Sequence, residues 1–160
     1  RWLLAFLHPA TQGVPRQVFA FGTELSDLNR AFALADTDAM LRAVNHTVTD
    51  YGGGTRLGHA LEQLARQHPR AVVGRRTVVL LITDGLDTGP PPVLQAALHS
   101  LKRHSRRILW LNPLLRFEGY APLAQGPQIL SRCCDAALPM HNLNSLSALS
   151  HAVAQALQTP

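Results

Sequence analysis

Two carboxylates, Asp84 and Asp87, follow a run of apolar residues in the stretch ITDGLDTG at residues 82–89. Paired carboxylates can act as general acid and base, hold a metal ion, or form a turn by hydrogen bonding to their own backbone. The two aspartates alone leave all three interpretations open.

A second stretch that could support chemistry is GGGTRLG at residues 52–58, where three glycines precede Thr55. Such a loop can bring its backbone N–H groups close to a ligand, although it could equally be a flexible linker before a helix. A hydroxyl from Thr55 and a carboxylate from Asp84 would suit a hard cation such as Mg²⁺ if the two loops converged. Asp87 could accept a hydrogen bond from a metal-bound water or be a solvated turn residue.

Short apolar runs that predict strands alternate with stretches of helical spacing. The predicted strands cover residues 17–23, 77–83, 107–113 and 136–140, of which 77–83 is expected to be central. A first helix is predicted to end at Leu7, before His8 and Pro9. Four further helices are predicted to begin at Thr37, at Thr55, at the prolines at 90–92, and at Asn144 or Ser145. This alternation predicts an α/β fold with a doubly wound, mostly parallel sheet and helices on both faces. Ligands bind such sheets beyond the carboxyl ends of the strands, where Asp84 lies.

Composition sets the broad class. The chain has 160 residues, 46% of them hydrophobic and 16% charged, which predicts one globular domain over residues 1–160. Because no apolar run is long enough to span a bilayer, we expect a cytoplasmic protein without a transmembrane segment. Adjacent Cys133 and Cys134 cannot easily form a disulfide and are interpreted as reduced thiols.

Several functions are disfavoured. The basic run KRHSRR at residues 102–107 has no interleaved aromatic residues, and cations also stabilise a helix end, so we expect no nucleic-acid partner. The histidines lack zinc-ligand spacing. No nucleotide loop or activated nucleophile is present, which argues against an enzyme. His141 could be a site residue or a simply hydrogen-bonded one.

A set of motifs in order resembles the von Willebrand factor A (VWA) domains of the CoxE-like family. The motifs are GGTR at 53–56 with Gly58, TDG at 83–85, WLNPL at 110–114, HNL at 141–143 before Ser145-Leu146, and VFAFGTELSDLNRAF at 18–32. The resemblance covers residues 17 to 153 approximately.

The resemblance implies a metal-ion-dependent adhesion site (MIDAS), which holds Mg²⁺ or Mn²⁺ through a D-x-S-x-S motif, a threonine and an aspartate. Thr55 and Asp84 match the last two, and Gly53, Gly54, Arg56, Gly85 and Asp87 would contact the partner or support the ligands. It also implies an adapter that acts with a MoxR-type AAA+ ATPase, and with its client enzyme, in maturing metalloenzymes such as carbon monoxide dehydrogenase.

The D-x-S-x-S motif has no counterpart in these 160 residues. By the family pattern it would precede Arg1, so we expect a fragment without the first strand, with marginal stability and weak or absent metal binding. Two alternatives stay open: a Mg²⁺-dependent phosphate-handling hydrolase using Asp84 and Asp87, and a scaffold that has lost metal binding.

Overall fold

The computed structural model describes residues 2–48, 54–72, 74, 76–116, 124–140 and 155. The chain divides into two compact units, Arg1–Arg56 and Leu57–Pro160, so the assignment of all 160 residues to one domain stays a prediction. The first unit contains α1 (Trp2–Ala10), β1 (Phe19–Phe21), β2 (Leu25–Asp27), α2 (Asn29–Phe32) and α3 (Thr37–Thr47). The second contains α4 (Leu57–Gln67), α5 (Pro69–Val72), β3 (Val78–Ile82), α6 (Pro91–His104), β4 (Arg107–Asn112), a 3-10 helix (Pro113–Arg116), α7 (Gln125–Cys133) and β5 (Ala136–Pro139).

The first unit is organised around a small apolar core. Its buried residues lie just before α2, within α2 and within α3; they are Leu28, Ala31, Phe32, Met40 and Val44. Helix α3 begins where the sequence predicts, because the Asp36 carboxylate accepts a hydrogen bond from the Ala39 backbone N–H at 2.7 Å. This cap fixes the start of the helix that supplies two of these five core residues.

Of the strand predicted at residues 17–23, only Phe19–Phe21 form a strand, and its pairing is antiparallel where a mostly parallel sheet was expected. Strand β1 runs antiparallel to β2, with Phe19 opposite Asp27 and Phe21 opposite Leu25, and its residues are only partly buried. The sequence does not predict β2, because three residues that include Ser26 and Asp27 carry no apolar pattern.

His8 and Pro9 do not end α1, which continues to Ala10. Proline disfavours helical geometry in the residue before it, but tertiary contacts hold His8 in place. Its side chain is fully buried, its Nε2 donates to the Leu34 carbonyl at 2.8 Å, and its Nδ1 lies 3.0 Å from the Thr37 hydroxyl. The expected helix boundary at Leu7 was therefore wrong by three residues.

The second unit contains a parallel three-stranded sheet in the order β3-β4-β5. Val78 pairs with Arg107 and Ile82 with Leu111 across β3 and β4, and Leu109 pairs with Ala136 across β4 and β5. Helix α4 packs on α6, and α6 on α7. The prediction of an α/β fold with a parallel sheet is confirmed.

The middle strand among those described is β4, whereas the sequence predicted that 77–83 would be central. All five residues from Ile108 to Asn112 are buried, but four of the five residues of β3 are only partly buried. An apolar, β-branched run thus indicated a strand correctly but not its order in the sheet. The last predicted helix, beginning at Asn144 or Ser145, lies outside the described residues, and so does His141.

Both cysteines are free thiols, as the sequence predicts. Burial raises the pKa of the Cys134 thiol to about 12, and the nearby Cys133 and Asp135 add to this shift. Burial also raises the pKa of Cys133. Both thiols are therefore protonated at neutral pH and are weak nucleophiles and weak metal ligands.

Among the described residues, no helix combines the length and the apolar character needed to cross a bilayer.

Candidate metal centre

The loop after β3 is a tight turn built around Asp84. The Thr83 N–H continues the sheet by donating to the Leu111 carbonyl at 3.2 Å, and the Thr83 hydroxyl accepts from the Gly85 N–H at 3.0 Å. Asp84 Oδ1 accepts from the Leu86 N–H at 3.0 Å. Asp84 therefore forms a turn with its own backbone, which was one of the three interpretations of the sequence. No hydrogen bond to its other oxygen, Oδ2, comes from the described residues. Asp84 thus forms a turn and still has a carboxylate oxygen available to a cation.

Gly85 is required here for two reasons. Its φ of +84° is strained for other residues, and an added Cβ would lie 3.0 Å from Leu130 Cδ1 and 3.1 Å from Pro127 Cγ. An added Cβ at Gly126 would in turn collide with the Gly85 carbonyl oxygen. The Asp84 loop therefore packs directly against the start of α7.

Helix α7, and with it this support for the loop, was not predicted from the sequence. Gly126 and Pro127 near its start resemble a turn, because both residues disfavour helix interiors. The available signal was the spacing of Pro127, Leu130 and Cys133, all of which are buried on one side of the helix.

The WLNPL motif supports the same loop from the next strand. Trp110 is only 2% exposed, and its indole Nε1 donates to the Thr83 carbonyl at 2.9 Å. Asn112 is fully buried, and its Oδ1 accepts from the Leu114 N–H at 2.8 Å as the chain leaves β4. Both contacts fix the backbone at the carboxyl ends of adjacent strands, which is where α/β sheets bind ligands.

Asp87 caps a helix that is distant in sequence. Its Oδ1 accepts from the N–H of Leu57, the first residue of α4, at 3.1 Å and from the Gly89 N–H at 3.0 Å. Its Oδ2 is buried and has no hydrogen-bond partner among the described residues. Asp87 is therefore not the solvated turn residue considered from the sequence. It connects the loop after β3 to the helix that begins two residues after Thr55.

The threonine loop belongs to the other unit. Gly54 has a φ of +82°, the Arg56 N–H donates to the Gly22 carbonyl at 3.0 Å, and Thr55 is partly buried while Arg56 is exposed. Gly53 lies outside the described residues. Each loop is fixed within its own unit, and the meeting of Thr55 with Asp84 around one ion stays a prediction.

The donor chemistry of these residues fits a hard dication. A threonine hydroxyl and a carboxylate with an available oxygen are the ligand types that Mg²⁺ and Mn²⁺ accept, with water completing the coordination. Within the part of the chain that is described, no group of three or more His, Cys, Asp or Glu residues could hold a metal.

A cavity of about 450 Å³ opens beside this loop. It lies between the loop after β3, the start of α6 and the start of α7, and its lining includes Leu86, Asp87, Thr88, Gln125 and Ile129. Leu86 is also 55% exposed. The cavity and Leu86 together give the carboxyl edge of the sheet a partly apolar surface next to Asp84.

Two comparisons with known proteins agree on the fold. The chain matches the family model described as a VWA domain containing CoxE-like protein over residues 1–146. Among solved structures, it is similar to proximal thread matrix protein 1 from the mussel byssus, determined with a zinc-occupied MIDAS motif. The TM-score is 0.61 at 18% identity, and the match covers 96% of this chain but 41% of the mussel chain. That identity supports a shared fold only. No curated protein matches significantly.

Proposed function

This chain belongs to the CoxE-like family of VWA domain proteins, and on that premise we propose that it is an adapter that binds a partner protein through a divalent cation. The observation that carries the proposal is the Asp84 carboxylate at the end of β3. One of its oxygens holds the turn at 3.0 Å from the Leu86 nitrogen, and the other has no hydrogen bond from the described residues.

In this proposal the ligands from this chain are the Asp84 carboxylate and the Thr55 hydroxyl, with Mg²⁺ or Mn²⁺ as the ion. When bound, the ion supplies a positive charge with an open position, to which a carboxylate of the partner can bind. The surrounding residues have positioning roles. Gly85 lets the turn pack on α7, and the Asp87 carboxylate holds the start of α4. The adapter carries out no reaction of its own.

We propose a MoxR-type AAA+ ATPase as the partner, because the resemblance to CoxE-like domains implies it. The client would be a metalloenzyme under maturation, such as carbon monoxide dehydrogenase. On this chain the contact surface would combine the ion with Leu86 and the cavity beside Asp87, since an exposed apolar side chain next to a charge suits a transient protein interface.

The first prediction concerns Asp84→Asn and Thr55→Ala. An asparagine at position 84 can still accept from the Leu86 N–H, so the turn persists while the negative charge is lost. In the full-length protein, we expect each variant to bind Mg²⁺ or Mn²⁺ at least about tenfold more weakly than the wild type by calorimetry, a loss of about 1.4 kcal/mol. Each should also lose metal-dependent capture of a MoxR-type AAA+ ATPase.

The matched control is Asp38→Asn, because Asp38 is an exposed aspartate in the first turn of α3. It should leave metal affinity and ATPase capture unchanged. Capture that survives both EDTA and Asp84→Asn would contradict the role of the ion and favour a scaffold. Metal-dependent hydrolysis of phosphoesters that Asp84→Asn abolishes would instead favour an enzyme.

A further inference from the structure

The net charge of the chain belongs entirely to its second unit. Leu57–Pro160 contains ten of the fifteen Lys and Arg residues and five of the ten Asp and Glu residues, whereas Arg1–Arg56 contains five of each kind. The second unit therefore carries the whole formal charge of +5, and the first carries none. An excess charge confined to one unit creates a field that attracts partners of opposite sign.

Within the second unit, most of these cations lie at the end of the sheet where the strands begin, which we call the amino edge. The parallel strands and the helices that return to their starts bring six of them there: Arg76, Lys102, Arg103, Arg106, Arg107 and Arg132. The Arg106 N–H donates to the Thr77 carbonyl at 2.8 Å, so the starts of β3 and β4 are in contact. Asp84 and Asp87 lie at the opposite, carboxyl edge.

One carboxylate at the amino edge, Asp135, pairs with two of these cations. Its Oδ1 lies 3.1 Å from Lys102 Nζ and 4.0 Å from the Arg107 guanidinium, and its Oδ2 accepts from the Ile108 N–H at 2.8 Å. Lys102 also donates to the Cys133 carbonyl at the end of α7, at 3.1 Å. The sequence suggested that the basic run stabilises a helix end, and the contact of Lys102 with the end of α7 agrees with this role.

The four other arginines of the amino edge have no counterion among the described residues. Arg76, Arg103 and Arg132 are exposed and Arg106 is partly exposed. None of the four forms an ion pair or a side-chain hydrogen bond with the described residues. Their mutual repulsion opposes folding, and an external anion would relieve it.

We propose that the amino edge is a second docking surface, separate from the proposed metal site, and that its partner is an acidic helical segment of another protein. Arg76 lies two residues before β3 and Arg106 one residue before β4, and neighbouring strands lie about 4.8 Å apart. Acidic residues at i and i+4 on a helix have Cβ atoms about 5–6 Å apart. A helix with acidic residues at this spacing can therefore place one carboxylate near each of these two arginines.

An acidic polypeptide fits this surface better than a nucleic acid does. The described cations lie at the starts of β3 and β4 and at the ends of α6 and α7. Aromatic side chains supply base stacking to single-strand binders, but Trp110 in the middle of the sheet is buried. Among the described residues, the amino edge therefore has no exposed Phe, Tyr or Trp on which bases could stack.

The test measures binding of a helical peptide of about 20 residues with glutamates at i and i+4 positions. Its affinity for the full chain is measured by fluorescence anisotropy at low and at physiological salt, beside an otherwise identical glutamine peptide and a DNA duplex. The edge variant is Arg103→Glu, Arg106→Glu and Arg132→Glu combined. The control combines Arg30→Glu and Arg42→Glu, two exposed positions of the first unit, and lowers the net charge by four where the edge variant lowers it by six.

We expect the wild type and the control variant to bind the acidic peptide and the edge variant to bind it at least about tenfold more weakly. The glutamine peptide should not bind. The proposal is overturned if the control variant loses as much affinity as the edge variant, if the acidic peptide does not bind at low salt, or if the DNA duplex binds more than about tenfold tighter than the peptide. If the glutamate variant does not fold, the same three arginines are replaced by glutamine, and the affinity for the acidic peptide should again fall.

Discussion

The carboxylate of Asp87 joins two segments that are 30 residues apart in sequence. Through Oδ1 it satisfies the N–H groups of Leu57 and Gly89, and its Oδ2 is buried without a partner among the described residues. A negative charge near the first turn of α4 also interacts favourably with the helix dipole.

At the residue scale we therefore predict that Asp87→Ala lowers the free energy of unfolding by about 1–3 kcal/mol, because two backbone donors lose their acceptor. Urea denaturation measures the change. Glu24→Ala is the control, since Glu24 is exposed and its side chain makes no hydrogen bond with the described residues; it should change stability by less than about 0.5 kcal/mol. Equal effects of both substitutions would contradict the capping role.

The sequence predicts some of these residue roles and not others. The position of Asp84 at a strand end follows from the apolar run before it, and its turn follows from the glycine after it. The cap that Asp87 provides could not be predicted, because Leu57 becomes its neighbour only when α4 and the loop after β3 meet. Sequence proximity instead suggested a local turn, which Gly89 forms with it in addition.

At the scale of elements, Gly58 allows α4 to approach α6 closely. It is buried in the first turn of α4, and an added Cβ would lie 2.7 Å from the Leu94 nitrogen and 2.9 Å from its Cα. Both atoms belong to the backbone and cannot move aside as a side chain can. The sequence allowed Gly58 to be part of a flexible linker, but in the structure it is a packing residue.

We predict that Gly58→Ala destabilises the protein by about 1–3 kcal/mol, even though alanine is the better helix former by about 1 kcal/mol. Thermal unfolding followed by circular dichroism measures the effect. Arg66→Ala, at an exposed position of the same helix, should be nearly neutral. A stabilised Gly58→Ala variant would mean that α4 and α6 can separate at little cost.

Elements with strong periodicity were predicted well. Strands β3, β4 and β5 and helices α3, α4 and α6 lie close to their expected positions, because apolar runs and caps are local signals. Helix α7 and strand β2 were missed, since proline, glycine and polar residues mask their patterns. Helix α1 continues beyond the end that Pro9 suggested, and tertiary hydrogen bonds hold His8 in the helix.

At the scale of the whole molecule, the uneven charge distribution affects stability. All of the +5 charge belongs to Leu57–Pro160, and four arginines of the amino edge have no counterion among the described residues. Raising the ionic strength from about 0.01 M to about 0.15 M shortens the Debye length from ~30 Å to ~8 Å and screens their repulsion.

We therefore predict that Tm rises by about 2–4 °C over this range, the shift that roughly 1 kcal/mol produces in a chain of this size. Differential scanning calorimetry in metal-free buffer at neutral pH measures it. The edge variant, with three of these arginines replaced by glutamate, should show a smaller rise. A Tm that falls with salt in the wild type would mean that attractive pairs dominate.

Trp110 gives the protein a natural optical reporter of this region. Its indole is shielded from solvent and is one hydrogen bond away from the carbonyl that immediately precedes Asp84. Indole emission depends on such bonds and on the local field, so a dication arriving at the loop would change the fluorescence of the unlabelled chain. If the proposed site binds a dication, the emission of Trp110, one of the two tryptophans, would report its occupancy without a dye and without a partner.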